Sequence, residues 1–492
     1  MKRNDFIKIS ILIVVLLAIF YPVFYTEYLY TDEAVQIWFY KQAGSLEMFI
    51  PQGRYLTEKL MQALFSTITT IKDIRYLRVF SLFGWVLCLP VWYFVIKRLT
   101  AKENLPSLLA FFSVFYLVAM PPMAVSIGWA TCLELFIANT AGLLSGYIIL
   151  NSTAYSQGGN NRFPVGAMLV SIVLGLISLF SYQSGFGCFM IPLLIHFLGK
   201  QKSSRPLLIS LGVYLFTYIV YLVVFKLCLA LNGMEANQRT GLYINIGGKL
   251  RFFFSQPLSA AFHFTYIFNE NSKLGLLLYR VLLAVLLIYT FFRYRALHVW
   301  QKVAYVLGIG AIFLLMYIPP LIVKENYASN RTMLALNMGV FLVMAETLLS
   351  LFKSFNSKKM LVYGVSGLFA LNAWYNFNYL FLKPVVHEHA KFKAFMQDNY
   401  SEKVTSIAFI RPPEDVFVRH FGITRSWDEF GVPISHFSWV PEPYVKQLIF
   451  EMTNSRAIAE KITVTNGLRQ DGFAPASQEN GLLIDAEEVI TK

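Results

Sequence analysis

The sequence predicts an α-helical polytopic membrane protein with about eleven transmembrane helices and a small α/β domain outside the membrane at its C-terminal side. Hydrophobic residues make up 56% of the 492 residues and aromatic residues 16%, and the mean hydropathy is +0.54. These values lie well above the averages of soluble domains. The net charge of +14 comes from basic residues in short loops between apolar runs, a pattern that indicates topology signals and argues against a nucleic-acid-binding face.

Apolar runs of about 20 residues are long enough to cross the hydrocarbon core as helices. The predicted spans are residues 7–25, 76–97, 105–122, 132–150, 165–182, 184–199, 206–231, 274–293, 301–323, 332–352 and 360–382. No small-residue cleavage site follows the first run, which therefore predicts a retained span. The pair at 165–199 has a very short connection, so a tight hairpin and a re-entrant pair both remain open.

Basic residues occur in every second loop, and this alternation orients the spans. The basic segments contain Lys2, Arg3 and Lys8; Lys97, Arg98 and Lys102; Arg162; Lys200, Lys202 and Arg205; Arg293, Arg295 and Lys302; and Lys353, Lys358 and Lys359. The short loops around 121–131 and 182–184 carry no Lys or Arg. Positive loops stay in the cytoplasm, so we expect a cell-membrane protein with a cytoplasmic N-terminus and an extracytoplasmic C-terminal domain.

The predicted outer side contains three loops and the C-terminal domain. Within the loop 26–73, apolar residues recur at helical spacing over 55–71, which predicts a helix lying on the membrane surface. The loop 232–273 contains a second predicted interfacial segment, and the loop 323–331 is short and polar. We divide the chain into a transmembrane domain, 1–382, and an extracytoplasmic α/β domain, 383–492.

Alternating and helical patterns distinguish the elements of the C-terminal domain. Residues 404–410 and 461–467 predict strands, and residues 390–400 and 443–452 predict helices. A turn is expected at Pro412.

An acidic pair, Asp32 and Glu33, follows the first span at its predicted outer end. Carboxylates at this depth meet both lipid headgroups and water, so they are candidate catalytic groups. Neighbouring residues of a helix point about 100° apart, which prevents the two from acting as one diad: one would be the base and the other would orient the loop. The alternative is that Thr31 or Asp32 simply caps a helix that begins near Ala34.

Three basic residues are predicted to bind substrate on the same side. Arg54 follows Gly53 in the segment 52–55, where glycine permits close backbone approach and arginine could grip a phosphate. Arg331 lies at the outer mouth of the tenth predicted span, with Lys324 nearby, and its guanidinium could hold a lipid phosphate through two hydrogen bonds. A solvated loop arginine and an arginine that snorkels to the interface are the alternatives.

Two further polar residues face the same predicted compartment. Gln183, in the tight turn between the fifth and sixth predicted spans, is a predicted substrate-binding residue. Glu134 lies near the outer end of the fourth predicted span, where a structural pair with an arginine is favoured over catalysis.

The remaining polar motifs favour structural roles. His387 and His389 are two residues apart, whereas helical metal ligands lie four apart, so a surface loop is expected there. The segment 427–430, which contains a tryptophan beside two carboxylates, could contact sugar but is more readily explained by folding contacts. The cysteines are Cys88, Cys132, Cys188 and Cys228. All four lie in or beside apolar runs, as small core residues do, and no metal site is predicted.

Four short motifs resemble one family of membrane enzymes. They are TDEAVQ (31–36), GRYL (53–56), SYQSG (181–185) and ASNRTM (328–333). Together they are similar to the bacterial O-antigen-modifying, glucosyl transferase II-type membrane glycosyltransferases, which have the GT-C architecture. The resemblance covers about residues 7–350 and leaves the C-terminal domain unmatched.

Two positions depart from the family pattern. The family usually has two aspartates where this chain has Asp32 and Glu33, and often a tryptophan where it has Tyr55. Both changes conserve the chemical type, but they weaken the assignment of glucose as the sugar.

The resemblance implies an enzyme that moves a hexose from a polyprenyl-phosphate carrier to a glycan or lipid-linked acceptor on the outer face. A base at Asp32 would take the proton of the acceptor hydroxyl, and Arg54, Arg331 or Lys324 would stabilise the leaving phosphate. This chemistry requires no cofactor, although a divalent metal would be compatible with it. Membrane lipids are expected partners and nucleic acid is not.

Two other classes remain alternatives. A polysaccharide flippase or polymerase would share the many spans, but it would be expected to carry charges within them, lining a path. In this sequence most charges lie at the ends of the spans. A non-enzymatic surface-glycan assembly protein could use the C-terminal domain alone.

Overall fold

The computed structural model describes residues 3–40, 47–155, 164–199, 204–237, 241, 243, 245–269, 272–293, 298–473 and 480–492. Helices dominate these residues. The first eleven are α1 (Arg3–Phe20), α2 (Glu33–Phe39), α3 (Tyr55–Phe65), α4 (Ile74–Lys102), α5 (Leu109–Ala119), α6 (Pro121–Gly128), α7 (Leu135–Ala154), α8 (Val165–Ser181), α9 (Met190–Leu198), α10 (Ser204–Asn232) and α11 (Ile246–Ser255). The others are α12 (Pro257–Ala261), α13 (Lys273–Arg293), α14 (Val299–Met316), α15 (Ile318–Ile322), α16 (Asn330–Leu351), α17 (Phe355–Tyr375), α18 (Lys383–Asn399), α19 (Val416–Phe421), α20 (Pro441–Thr453), α21 (Arg456–Lys461) and α22 (Ala486–Thr491).

The structure is that of a helical membrane protein. Among the described residues, 7 helices are long and apolar enough to cross a membrane, or 8 if the bent pair α5–α6, broken by 51°, is one span. Two shorter apolar helical segments, Val165–Ser181 and Gln183–Leu198, lie where the fifth and sixth spans were predicted. Each of the eleven predicted spans lies on helical chain, but length and composition support fewer crossings than predicted.

The pair at 165–199 consists of two apolar helical segments that are shorter than the candidate spans. A 3₁₀ helix, Gln183–Phe189, joins α8 to α9, which has only 9 residues. Small residues let α7 approach this 3₁₀ helix: a Cβ atom at Gly142 would lie 2.5 Å from the carbonyl oxygen of Gly185. Such close contacts between small residues are typical of helix packing in membranes, and here they fix the position of the turn at Gln183.

Helix α16 is the central helix of the bundle. In its most apolar 18-residue stretch, 83% of the residues are buried. It packs against α5, α6, α12 and the 3₁₀ helix. Because α16 begins at Asn330, its buried course places Arg331 at one end of the bundle core.

The two ends of the bundle differ in chemistry. At one end, Lys97 pairs with Asp5 at 2.6 Å, and Lys102 donates to Asn151. The buried cluster of Glu103, His196 and Tyr155 lies at the ends of α4, α9 and α7. The acidic pair and the loop 26–73 lie at the other end. Lys97 and Lys102, two of the predicted topology signals, therefore lie at the same end of the bundle as the start of α1.

The C-terminal α/β region has a small parallel sheet. Strand β1 (Ser406–Arg411) lies between β2 (Thr463–Leu468) and β3 (Gly481–Asp485). Strands β1 and β2 and helices α18 and α20 were predicted, whereas β3 was not. A π-helical segment, Asn376–Leu382, joins α17 to α18 without a break, so the predicted domain boundary at 382/383 falls inside a continuous helical run.

The predicted surface helix is shorter than expected. Helix α3 ends at Phe65, because Ser66 and Thr67 fold their hydroxyls back onto the preceding carbonyls. Its buried face is formed by Thr57, Glu58, Met61 and Phe65. Of the predicted apolar stripe only Leu56 is exposed. Leu60 and Leu64 are partly buried against the core, and Ile68 and Ile71 are buried, so most of the stripe packs against the protein. The second predicted interfacial segment contains α11 and α12.

Candidate functional site

A cavity of about 750 Å³ lies where the loop 26–73 and the segment around α15 meet the C-terminal region. It is lined by Thr31, Asp32, Val35, Met48, Phe49, Gln52, Arg54, Trp129, Tyr182, Gln183, Ser184, Leu215, Tyr218, Tyr221, Leu222, Phe225, Asn237, Ile318, Pro319, Pro320, Ile322, Val323, Glu325, Tyr327, Arg331, Thr332, Asp428, Phe437 and Trp439. Four of the six predicted site residues therefore share one cavity: Asp32, Arg54, Gln183 and Arg331.

Asp32 faces this cavity and does not cap its helix. Its side chain makes no capping hydrogen bond to α2, and its Oδ1 accepts a hydrogen bond from the indole Nε1 of Trp439 at 2.9 Å. Burial raises the pKa of Asp32, while Arg331 and the Trp439 hydrogen bond act in the opposite direction. A carboxyl group with a raised pKa is a better proton acceptor once it is ionised.

Glu33 lies on the other side of the same turn and does not line the cavity. It is fully buried, and its Oε2 lies 2.5 Å from Nη2 of Arg78, which is also fully buried. It accepts two backbone hydrogen bonds, from Tyr30 N at 2.8 Å and Ala130 N at 2.6 Å. Burial raises the pKa of Glu33 to about 7, against the effects of Arg78 and these two N–H groups. These contacts suit a residue that positions the loop carrying Asp32.

Arg54 and Gln183 form one wall of the cavity. Nε of Arg54 donates to Oε1 of Gln183 at 3.3 Å, and the guanidinium lies 4.2 Å above the ring of Tyr182. The amide nitrogen of Gln183 donates to the Gln52 carbonyl at 2.6 Å and to the Tyr221 hydroxyl at 3.0 Å. Gly53 lies against that hydroxyl, where a Cβ atom would come within 2.1 Å of it. The glycine therefore permits the approach on which this wall depends.

Arg331 is held between the membrane helices and the C-terminal region. Its Nη2 pairs with Oδ2 of Asp428 at 2.7 Å, and its guanidinium lies 4.3 Å above the ring of Trp129. Glu429 accepts from the backbone N–H groups of Asn330 and Arg331, at 2.7 and 3.1 Å. It thus satisfies the first free N–H groups of α16. The segment 427–430 therefore combines a cavity residue, Asp428, with a structural residue, Glu429.

Two strained residues precede two of the three cavity carboxylates. Thr31, before Asp32, has φ 36°, and Trp427, before Asp428, has φ 52°. A positive φ is unfavourable for any side chain other than glycine and especially for a β-branched one. Each such conformation costs on the order of 1–3 kcal/mol and persists only where its surroundings enforce it. The strain therefore marks both turns as imposed by the site.

The other predicted residues lie elsewhere. Lys324 lines a separate cavity of about 250 Å³ with Lys249 and Asn326, so the structure does not bring it to Arg331. Glu134 is buried, and its carboxylate oxygens have no hydrogen-bond partner among the described residues. The arginine pair predicted for it is thus not formed there. Glu134 is the residue immediately before α7.

The His387–His389 segment has a structural role. His389 contacts Tyr444 and Glu27, while Glu388 accepts from the backbone N–H groups of Ile434 and Ser435. The segment lies in α18 and not in the predicted surface loop. Among the residues that the structure describes, no group of three or more His, Cys, Asp or Glu side chains is arranged to hold a metal ion.

One side of the cavity is apolar. Its residues come from α10 and the segment around α15: Leu215, Tyr218, Leu222, Phe225, Ile318, Pro319, Pro320, Ile322 and Val323. Leu215 and Leu222 also remain exposed on the outer surface of α10. In the most apolar 18-residue stretch of α10, only 28% of the residues are buried. The apolar side of the cavity is therefore continuous with the helix surface that would face lipid.

Asp428, Trp439 and Tyr221 are cavity residues that sequence reasoning did not select. Trp439 lies 407 positions after Asp32 in the chain, and Asp428 lies 97 positions after Arg331. No local pattern links residues that far apart. The tryptophan and two carboxylates of 427–430 were the one available signal.

No protein-family model matches the chain, and no curated protein is significantly similar to it. The fold and the site by themselves define the class of this protein. It is a helical membrane protein with a charged cavity between its helices and an α/β region.

Proposed function

We propose that this protein is a GT-C-like membrane glycosyltransferase that spans the cell membrane about eleven times. It moves a hexose from a polyprenyl-phosphate carrier to a glycan or lipid-linked acceptor on the outer face. The observation that carries the proposal is the cavity itself, which combines three carboxylates, among them Asp32, with two arginines and an apolar side. A lipid-linked phosphosugar has the complementary parts: a hydroxyl-rich sugar, an anionic phosphate and an apolar chain.

In the proposed reaction the acceptor hydroxyl attacks the anomeric carbon of the donor sugar. The new bond joins the acceptor oxygen to that carbon, and the bond between the carbon and the phosphate oxygen breaks. Asp32 takes the hydroxyl proton, and the polyprenyl phosphate leaves with the bonding electron pair. Positioned base catalysis contributes about 10²- to 10⁴-fold to such steps.

The leaving phosphate requires cationic stabilisation, because it gains negative charge as the bond breaks. Arg331 and Arg54 supply it in this proposal, and Gln183 orients Arg54. Asp428 already pairs with Arg331 at 2.7 Å, so the donor phosphate would share or replace that partner. The apolar side along α10 would accommodate the first part of the polyprenyl chain.

The direct test is transfer from a defined donor. Purified full-length protein in lipid nanodiscs is incubated with radiolabelled polyprenyl-phosphate hexoses and oligosaccharides from the cell envelope of the source organism. The proposal expects label to move from the lipid to the acceptor. Translocation of the donor across sealed vesicles without any transfer would instead support a flippase.

The orientation can be tested with reporter fusions. A reporter that is active only outside the cytoplasm should be active when fused after Lys492 and silent when fused near Lys202 or Lys358, because alternating basic loops hold the latter two inside. A silent fusion at Lys492 in a stable protein would place the C-terminal region and the cavity on the cytoplasmic side.

Arg331→Lys should weaken use of the lipid donor. Lysine keeps the positive charge but loses the planar fork that grips a phosphate and stacks on Trp129. We expect the donor KM to rise by about tenfold or more, because the loss of one charge-assisted hydrogen bond weakens binding by about that factor. Arg419→Lys is the matched control, because Arg419 pairs with Asp415 and Glu487 on the exposed surface. An unchanged donor KM in Arg331→Lys would assign the phosphate to other residues.

A further inference from the structure

An aromatic pair, Trp439 and Phe437, stands at the C-terminal side of the cavity. Their ring centroids are 5.0 Å apart, and the rings are inclined by 32°. Trp439 lines the cavity and is 45% exposed, so much of its ring surface is open. Its only polar atom, Nε1, donates to Asp32. The flat face of the indole is therefore presented beside the proposed base.

The loop that carries this pair is fastened on several sides. Glu388 accepts from Ile434 N at 2.9 Å and from Ser435 N at 3.1 Å. The carbonyl of His436 accepts from Arg411, and its ring contacts the Pro412 carbonyl at 2.9 Å. Such contacts hold the two rings in place before any ligand arrives, which reduces the entropy that binding must overcome.

The two arginines proposed to bind the phosphate stack on other rings of the cavity. Arg331 lies above Trp129 and Arg54 above Tyr182. Asp32 accepts its hydrogen bond from Trp439, which comes from the C-terminal region. A reactant packed on the ring face of Trp439 would therefore lie beside the base and would leave the two arginines to the donor phosphate.

We propose that Trp439 and Phe437 form the acceptor subsite and that the acceptor binds there as a pyranose ring of a glycan. The C–H face of the sugar packs on the indole, while one of its hydroxyls reaches Asp32. Aromatic side chains combine a large apolar surface with fixed geometry, which suits the apolar face of a sugar. This inference rests on the proposed function and specifies its acceptor as a glycan recognised through its ring and not as a lipid headgroup.

Saturation-transfer NMR tests the subsite without requiring turnover. The probe is the mixture of cell-envelope oligosaccharides described above, with full-length protein in nanodiscs. We expect saturation of the C–H protons on one face of a pyranose, retained in Trp439→Phe and lost in Trp439→Leu, which keeps apolar bulk but no ring. Trp300→Leu is the matched control, since Trp300 is 82% exposed on α14. Equal saturation in wild type and Trp439→Leu would overturn the proposal.

Kinetics separate this subsite from the donor site. Trp439→Leu should raise the acceptor KM by about tenfold or more, a loss comparable to that of one stacked aromatic contact, with the donor KM changed less than about twofold. A rise in the donor KM alone would assign Trp439 to the donor and overturn the proposal. Saturation that depends on Trp439 in a protein without transferase activity would refute the proposed function while leaving a sugar site at Trp439.

Trp439→Phe supplies a readout that simple packing would not produce. Phenylalanine keeps the stacking face but cannot donate to Asp32, so the pKa of Asp32 should rise further. The acidic limb of the kcat/KM profile should therefore move to higher pH, with Arg331, Arg54 and Asp428 still acting on the same carboxyl. An unmoved limb would contradict the joint role of Trp439 in stacking and in orienting Asp32.

Discussion

Asp32→Asn should reduce sugar transfer by at least about 10²-fold, the lower end of the range for loss of a general base. Asparagine keeps the size of the side chain and can still accept the hydrogen bond from Trp439, but it cannot take a proton. The protein should therefore insert and fold normally. Because burial raises the pKa of Asp32, wild-type kcat/KM should fall as the pH drops through that raised value and the base becomes protonated.

The measurement is transfer at equal protein level, across a pH series, for wild type and variant. Asp415→Asn is the matched control, since Asp415 is an exposed carboxylate paired with Arg419. Full activity in Asp32→Asn would leave the proposed mechanism without a base. Loss of expression would point to a structural role for this side chain.

Glu33→Gln should act mainly on stability. Removing the carboxylate leaves the guanidinium of Arg78 buried without its ionic partner, and arginine cannot lose its charge in a protein. Breaking a buried pair in this way costs about 3–5 kcal/mol. Contact with the ring of Tyr28, 3.4 Å from the guanidinium, and with the Tyr28 carbonyl offsets part of this loss. Transfer should fall too, because the turn that positions Asp32 loosens.

Arg78→Met should be less damaging and should depend on pH. Arg78 lowers the pKa of Glu33, so removing Arg78 should raise that pKa above its present value of about 7. When the pKa of a carboxyl group is higher in the folded than in the unfolded protein, the folded protein is most stable at low pH. Its free energy of unfolding falls as the pH rises from the unfolded-state pKa to the folded-state pKa. Thermal unfolding at several pH values measures this. Equal destabilisation of both variants at all pH values would contradict an ionised Glu33–Arg78 pair.

The sequence predicted the helical elements well because apolar runs and their spacing are local signals. The runs around 76–97 and 332–352 correspond to α4 and α16. Strand β3 was missed, since Gly481–Asp485 has only five residues and a short apolar run is ambiguous between structures. Helix α9 was predicted too long, because the predicted span 184–199 also includes most of the 3₁₀ helix Gln183–Phe189 that precedes it.

The site was predicted only in part, for a physical reason. Asp32, Gln183 and Arg331 lie close to the ends of predicted spans and Arg54 lies in the loop after the first span, so the predicted orientation places all four on one side. The different roles of Asp32 and Glu33 depend on Arg78 and Trp439, which are 45 and 407 positions away in the chain. Such partners are determined by tertiary packing and leave no mark in the local sequence.

The composite wall of the cavity has a consequence for how the protein is made. Ribosomes add about 5–20 residues per second, so roughly 20–80 s separate the synthesis of Asp32 from that of Trp439, 407 positions later. During that interval the first helices can enter the membrane, while Arg331 still lacks Asp428 and Asp32 still lacks its indole partner. The nascent chain therefore passes through membrane insertion with an open, incomplete pocket, and the chemistry proposed for Asp32 would begin only after the α/β region has closed over it.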